Sequence, residues 1–561
     1  MSGNARLSAA QALTAAREWL AQDPDPVTRA ELEQLVLAAQ AGDRLAQDGL
    51  AERFSGRLEF GTAGLRAQLG AGPRRMNRVV VAHAAAGLAA YLLERRGPAS
   101  QAPSVVIGYD GRTNSALFAR DSAQIMAGAG VRVILLPEAL PTPVLAFSVR
   151  HLSADAGVMV TASHNPPRDN GYKVYLGGPE HDGSQIVSPV DEEIAAHIAR
   201  AASAGPIAAL PRSDAFQTAG PELREAYLRA TAAVAGPVPA QLKVVYTAMH
   251  GVGHAVTEEV LRRAGFDPVI AVPEQRDPDP AFPTVDFPNP EEPGALDLAF
   301  ALAERTGAEL VVAQDPDADR LAVAIPTPAG WRRLTGNEVG CLLAWWCAQR
   351  HQRAGREGGA LACSVVSSPA LGAVARHYGL DHVQTLTGFK WISRVPGLIF
   401  GYEEALGYLV NPGDVRDKDG VSATVAFLAL ASTAKAAGQS VADLLDDFAR
   451  RFGEFASTQL SIRMDPAAIS AVIARLRSRP PERIGELQVE QLDDFAGGWG
   501  SLPPTEMLRF RLTGGSRVIL RPSGTEPKLK VYLDTVAGEH GPSASEALEA
   551  LERGVRAMLQ L

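Results

Sequence analysis

Ala156-Gly157-Val158-Met159-Val160-Thr161-Ala162-Ser163-His164-Asn165-Pro166-Pro167 sets a short, uninterrupted apolar run against a polar loop closed by two prolines. A run of that length bounded by turn residues reads as a buried strand. Pro166 and Pro167 bar regular structure from continuing, so the Ser163 hydroxyl stands at the strand's tip, offered to a ligand rather than packed away. Position alone leaves two roles open for it: a nucleophile or phosphate carrier, or the cap of a following helix.

The same rhythm recurs on both sides. Upstream, Val105-Val106-Ile107 runs into Gly108-Tyr109-Asp110-Gly111-Arg112, an Ala-rich helical stretch and a second apolar run from Val131 to Leu136. Downstream it returns at Leu242 to Tyr246 and at Leu310-Val311-Val312. Strands alternating with helices predict α/β layers. Before all of this, residues 1–50 carry helical periodicity broken at Asp23-Pro24-Asp25-Pro26, a helical arm, followed by the loop Phe60-Gly61-Thr62-Ala63-Gly64-Leu65-Arg66. A chain of 561 residues exceeds one core, and roughly 150 residues per domain suggests three or four. Proline-marked breaks near Gly205-Pro206, Pro326-Thr327-Pro328 and residues 450–460 divide the chain into 1–50, 51–205, 206–325, 326–452 and 453–561. The proline-rich piece from Asp277 to Pro293 reads as an ordered excursion, since Phe282, Val285 and Phe287 can anchor it.

Composition narrows the partners. Hydrophobic residues at 46% and charged residues at 21% describe a packed globular protein, with no run near the ~20 apolar residues that span a bilayer. Charges at Arg6, Arg17 and Glu18 interrupt what would be the apolar core of a secretory signal, so a cytoplasmic protein without membrane attachment is expected. Cys341, Cys347 and Cys363 lack metal-ligand spacing and lie in apolar runs, as buried thiols in a reducing compartment do. A net charge of −9 argues against nucleic acid, so any anionic ligand must be met by a local cationic pocket.

Asp315-Pro316-Asp317-Ala318-Asp319-Arg320 follows the strand Leu310-Val311-Val312-Ala313 and spaces three carboxylates two residues apart, so that hard oxygen donors can converge on a Mg²⁺ or Ca²⁺ ion. An EF-hand is excluded, because Arg320 and Pro326 occupy the places of its glycine and its terminal glutamate. Arg521-Pro522-Ser523-Gly524-Thr525-Glu526-Pro527, between two apolar runs, combines a guanidinium, two hydroxyls and a glycine with Lys528 nearby, a set suited to a phosphate dianion. No Walker A motif occurs, and Gly251-Val252-Gly253 lacks the third glycine of a dinucleotide fingerprint. Between these lie Thr387-Gly388-Phe389-Lys390 and Gly401-Tyr402-Glu403-Glu404-Ala405-Leu406-Gly407-Tyr408; the paired carboxylates Glu403 and Glu404 with neighbouring aromatic rings suit a sugar's hydroxyls, and either stretch could equally be a helix N-terminus.

Ser163, the Asp triplet and the Arg521 loop together resemble the α-D-phosphohexomutase family, the phosphoglucomutases and phosphomannomutases. The likeness runs from Phe60 through Pro527, and Tyr246-Thr247-Ala248-Met249-His250-Gly251-Val252-Gly253 and the Glu403 to Tyr408 loop are most similar to its long branch, with bacterial phosphoglucomutases and phosphopentomutase-like enzymes. The resemblance implies three similar α/β domains with mixed sheets and a smaller C-terminal α+β domain around a central cleft. The first would carry the phosphoserine loop, the second the metal loop, the third the sugar loop and the fourth the phosphate loop.

It further implies a phosphorylated Ser163 and Mg²⁺ held by Asp315, Asp317, Asp319 and the phosphoserine, with Arg320 and Arg66 as cations at the transferring group. Lys173 matches the family's acid and base lysine, a plain phosphate counter-charge being the other reading. Lys390, Arg521, Ser523, Gly524, Thr525 and Lys528 would grip the non-reacting phosphate, and Glu403 and Glu404 the sugar. Where the shorter branch has a histidine this chain has Tyr408, and His164 is expected to point away from Ser163 if the backbone there is extended. The implied reaction interconverts glucose 1-phosphate and glucose 6-phosphate through a bisphosphate, with glucose 1,6-bisphosphate as activator, in a monomer or homodimer. Mannose or pentose phosphates are the alternatives within the family. A serine hydrolase lacks its Gly-x-Ser-x-Gly elbow here, and a non-catalytic sugar-phosphate sensor would not need serine and metal ligands together.

Overall fold

Ser8, Asp25 and Asp43 each accept backbone N–H groups of the turn that follows them, and so start the three helices Ala9–Leu20, Pro26–Gln40 and Arg44–Phe54. Pro26 opens the second helix, which is why Asp23-Pro24-Asp25-Pro26 breaks the periodicity. The arm is part of a larger core: Leu32, Leu50 and Phe54 are buried in the same apolar cluster as Val105 and Val158 of the first sheet. Each such side chain contributes about 1.5–3 kcal/mol by leaving water.

The computed structural model describes residues 7–61, 64–97, 101–500, 502–523, 527–538 and 541–560. They form two compact units, one running to Arg333 and including Gly407–Ser432, the other Leu334–Leu406 with Thr433–Leu561. Among the described residues no single helix is long and apolar enough to cross a membrane.

The first unit holds two mixed sheets. In the first, Leu65–Gln68, Asp169–Leu176, Ala156–Val160, Ser104–Tyr109, Arg132–Leu135 and Gln217–Thr218 lie side by side in that order; Asp169–Leu176 is antiparallel to both neighbours and the rest are parallel. Gln217–Thr218 therefore places the start of the segment 206–325 in the first sheet. The second sheet runs Gly330–Arg333, Ala322–Thr327, Leu310–Ala313, Val244–Thr247, Val269–Ala271, extending past the break expected at Pro326. Its last three strands are parallel, so the loops after Val244–Thr247 and Leu310–Ala313 emerge at the same end of the sheet. In α/β sheets that end is where ligands bind.

In the second unit, Asp381–Thr385, Ala360–Ser364 and Leu398–Glu403 run parallel beside the helix Gly336–Arg353, which a Thr335/Glu338 capping box begins. The C-terminal sheet is different in kind: Phe455–Arg463, Lys528–Val536, Arg517–Pro522, Leu508–Leu512, Leu487–Asp494 and Arg483–Ile484 are all antiparallel. Helices Pro466–Ser478 and Ala544–Leu559 supply Ile469, Ile473, Leu551 and Val555 to its core. Three mixed or parallel α/β layers and one antiparallel α+β layer match the expected fold class. Cys341, Cys347 and Cys363 are buried and unpaired with one another.

Candidate active site

Ser163 follows the strand Ala156–Val160 and turns the chain sharply: its φ is 53°, the left-handed region a side chain rarely enters. Its N–H donates to Thr161 Oγ1 at 2.9 Å, and its buried hydroxyl donates to Asp315 Oδ2 at 2.9 Å. The helix-cap reading is not realised, since no helix begins there. The turn also corrects the expectation for His164: the backbone is not extended, and Nδ1 of that ring lies 3.2 Å from Ser163 Oγ. Burial, then the charges of Arg320 and Arg66, hold the imidazole well below its ordinary pKa, so it is neutral at physiological pH.

Asp315, Asp317 and Asp319 are wholly buried, and one oxygen from each lies within 4.8 Å of the others. Three buried carboxylates repel unless cations answer them. Lys173, from the strand Asp169–Leu176, places Nζ 2.8 Å from both Asp317 Oδ2 and Asp319 Oδ2. Lys418 reaches Asp319 Oδ2 at 2.8 Å, Thr142 donates to Asp317 Oδ2 at 2.6 Å, and Arg320 Nε stands 3.8 Å from Asp315 Oδ2 and from Asp319 Oδ1. Burial alone would raise the pKa of Asp317, but the charge of Lys173 and the hydrogen bonds from Lys173 and Thr142 hold it below the ordinary value. Asp315, buried and facing Asp317 and Asp319, is pushed well above it. Asp317 Oδ1 and Asp319 Oδ1 are buried with no hydrogen-bond partner among the described residues. Orphaned carboxylate oxygens in a triad of hard donors fit a divalent cation such as Mg²⁺.

Arg66 donates to Asn165 Oδ1 at 3.1 Å and so lies on the Ser163 loop; burial lowers its pKa, and the charges of Asp317 and Asp319 oppose that shift. Lys418, Thr142 and Arg112 were not singled out by sequence reasoning. Lys418 belongs to a loop held on the Asp loop from behind: the Gly420 N–H donates to the Ala318 carbonyl at 3.1 Å, and a Cβ at Gly420 would fall 2.3 Å from the Arg320 carbonyl oxygen. Only the pair Lys418-Asp419 ahead of Gly420 could have hinted at it. Tyr408, in the strand Gly407–Leu409, is fully buried.

In the second unit, Glu403 ends the strand Leu398–Glu403, and its Oε1 accepts from the Gly388 N–H at 2.6 Å, at the start of the short helix Phe389–Ile392 that carries Lys390. Glu404 Oε2 accepts from Ser364 and Ser367, each at 3.0 Å. The glutamates thus leave a strand, while one of them serves a helix N-terminus. Arg521 and Lys528 sit on the facing strands of a hairpin; the Ser523 N–H donates to the Lys528 carbonyl at 2.8 Å, and Arg521 Nη1 donates to Thr387 Oγ1 at 2.6 Å. Gly524 and Thr525 lie outside the described residues.

Profiles of the four domains of phosphoglucomutase/phosphomannomutase match in order: alpha/beta/alpha domain I over residues 57–204, domain II over 225–330, domain III over 335–452 and the C-terminal domain over 472–540. The chain belongs to the phosphoglucomutase/phosphomannomutase family. A probable phosphomannomutase of Haemophilus influenzae is 51% identical over 86% of this chain and 98% of its own. A phosphopentomutase of Mus musculus is 35% identical over 93% of this chain and 89% of its own. The crystal structure of a putative phosphomannomutase from Thermus thermophilus shares the fold, with a TM-score of 0.69 at 24% identity over 90% of this chain and all of that one.

This family member is accordingly an enzyme, a phosphosugar mutase of the intramolecular phosphotransferase type. Its domain I carries Ser163 and Lys173, its domain II the Asp triad that could hold a metal, its domain III Lys390, Glu403 and Glu404, and its C-terminal domain Arg521 and Lys528.

Proposed function

We propose that this enzyme interconverts glucose 1-phosphate and glucose 6-phosphate through a phosphorylated Ser163. The observation that carries the reading is the Ser163 hydroxyl 2.9 Å from a buried triad of carboxylates with unsatisfied oxygens. Asp315, Asp317 and Asp319 would hold Mg²⁺, which when bound offsets the charge of a transferring phosphoryl group. Arg320 and Arg66 would add positive charge beside it, leaving catalysis mainly to positioning and electrostatics.

In the forward half-reaction the Ser163 Oγ–P bond breaks and the sugar's free hydroxyl oxygen takes the phosphorus, giving glucose 1,6-bisphosphate. The hydroxyl proton passes to a base; Lys173, whose ammonium pairs with Asp317 and Asp319, would take it as the neutral amine, after giving its own proton to one of those carboxylates. The bisphosphate then returns its other phosphate to Ser163. Added glucose 1,6-bisphosphate would activate the enzyme by phosphorylating Ser163 where it is bare. Arg521, Ser523, Gly524, Thr525, Lys528 and Lys390 would bind the phosphate that does not react, and Glu403 and Glu404 the sugar hydroxyls. Glucose and mannose share the 3- and 4-hydroxyls such acceptors would meet and differ only at C2. The name of the Haemophilus influenzae relative favours mannose phosphate as the second reading, and that of the mouse relative pentose phosphate as a third.

Ser163→Ala tests the carrier: turnover is expected to vanish, and the phosphate-sized mass increment to disappear from the intact protein. A variant with near-normal turnover overturns the scheme. Values of kcat/KM for glucose, mannose, ribose and deoxyribose 1-phosphates decide the sugar, with glucose expected to lead.

A further inference from the structure

Arg112 follows the strand Ser104–Tyr109 and is buried, with 4% of its surface exposed. Its guanidinium donates to four backbone carbonyls of one loop: Nη2 to Ser163 at 2.7 Å and Asn165 at 2.6 Å, Nη1 to Pro166 at 2.9 Å and Asp169 at 3.2 Å. A planar fork with five donors is the one side chain able to gather carbonyls in this way. The fork is itself held. Asp110 stands 3.5 Å from Arg112 Nε, and its Oδ1 accepts from the Arg112 N–H at 3.0 Å and from Ser115 Oγ at 2.6 Å.

The remaining face of the guanidinium is covered by Phe282, whose ring centre lies 5.0 Å from Cζ. Phe282 belongs to the excursion from Asp277 to Pro293 and is 3% exposed. The same excursion sets Phe287 6.2 Å from the His164 ring, and Thr284 Oγ1 2.8 Å from His250 Nε2. Proline-rich strap, guanidinium and Ser163 loop are thus stacked in that order.

We propose that Arg112, backed by Phe282, is a positioning residue that fixes the left-handed turn at Ser163 and so aims its oxygen for phosphoryl transfer. Arg112 touches neither the Asp triad nor the reacting oxygen; it acts through the carbonyl of Ser163 and the three carbonyls beyond it. The proposal rests on Ser163 as the phosphate carrier. Neither the Asp315 contact nor the Thr161 hydroxyl does the same work, because each holds one atom of Ser163, whereas Arg112 fixes the course of the chain out to Asp169.

The test compares the full-length wild type with Arg112→Lys, Phe282→Leu and Ser163→Ala. Lysine keeps the charge beside Asp110 but cannot bridge four carbonyls. Arg112→Lys is expected to lower kcat for glucose 1-phosphate by about 10- to 100-fold, as small misplacements of a reacting group do, with KM within about twofold. Amide hydrogens at 163–169 should exchange faster, while those of the strand Val244–Thr247 keep their rates. Phe282→Leu, which leaves the fork in place, should show the same pattern to a smaller degree and answers the question if Arg112→Lys does not fold. Wild-type kcat in both variants, or unchanged exchange at 163–169 in folded Arg112→Lys, overturns the proposal. Wild-type turnover in Ser163→Ala defeats the carrier reading separately; the exchange comparison still decides whether Arg112 shapes the loop.

Discussion

Asp317 answers to two groups on Oδ2, Lys173 and the Thr142 hydroxyl, while its Oδ1 is buried without a hydrogen-bond partner among the described residues. Replacing it with alanine removes one donor of the triad and unbalances Lys173. Turnover should fall by at least about 100-fold, and titration with Mg²⁺ should no longer raise it, since charge stabilisation by a metal is worth several kcal/mol. Lys418 makes a different demand. Burial alone would lower its pKa, but Asp319 and Asp417 raise it above the ordinary value, so the ammonium is charged inside the protein. Lys418→Met leaves Asp319 with one buried cation fewer and should cost about 3 kcal/mol in urea denaturation. Ser163 and the triad were legible because each is contiguous in the chain. Thr142 and Asp317 are 175 residues apart, and no spacing rule joins them.

At the scale of elements, the helix Gly420–Ala436 is prefaced by Asp419, whose Oδ1 accepts from the N–H groups of Val421 and Ser422 and whose carboxylate meets the Tyr227 hydroxyl. Burial nevertheless lifts its pKa from 3.8 to about 6. Between about pH 4 and 6 the unfolded chain ionises this group first, so the folded state holds the extra proton and loses stability as pH rises through that window. Asp419→Asn keeps an acceptor for both N–H groups and removes the ionisation. Its urea stability should fall less between pH 4 and 7 than that of the wild type, by about 2–3 kcal/mol. A second element depends on a missing side chain. At Gly336, which opens the helix Gly336–Arg353, a Cβ would fall 1.8 Å from the Glu404 carbonyl oxygen. Gly336→Ala should therefore displace Glu404 and raise KM for the sugar phosphate while leaving phosphorylation of Ser163 by glucose 1,6-bisphosphate near its normal rate. The Thr335/Glu338 capping box is local in the chain, whereas the contact of Gly336 with the Glu403-Glu404 turn joins residues far apart in it.

For the molecule as a whole, the C-terminal domain helps to close a core of the second unit. Val365 and Val366, beyond the strand Ala360–Ser364, are buried against Phe495, Met507, Ile519 and Tyr532, and the Arg517 guanidinium bonds the Ser367 carbonyl. A chain ending at Gly453 should expose that apolar cluster, seen as increased binding of a hydrophobic dye and a lower unfolding temperature than the full chain. Unchanged dye binding would show that the parallel sheet of the second unit closes its core unaided.

Alternating apolar runs and loops fixed the α/β layers, because burying a strand dictates its composition locally. Contiguous motifs likewise exposed Ser163, the Asp triad, the Arg521 hairpin and the family. Tertiary structure decided what depends on distant parts of the chain meeting. It turned His164 toward Ser163 through a left-handed backbone, answered the triad with Lys173 and Lys418, and placed Arg112 under the loop it holds. Local sequence sets which groups a strand tip offers; charge balance and carbonyl partners in a buried site come from elements far apart in the chain, and only the packed fold brings them within hydrogen-bonding distance.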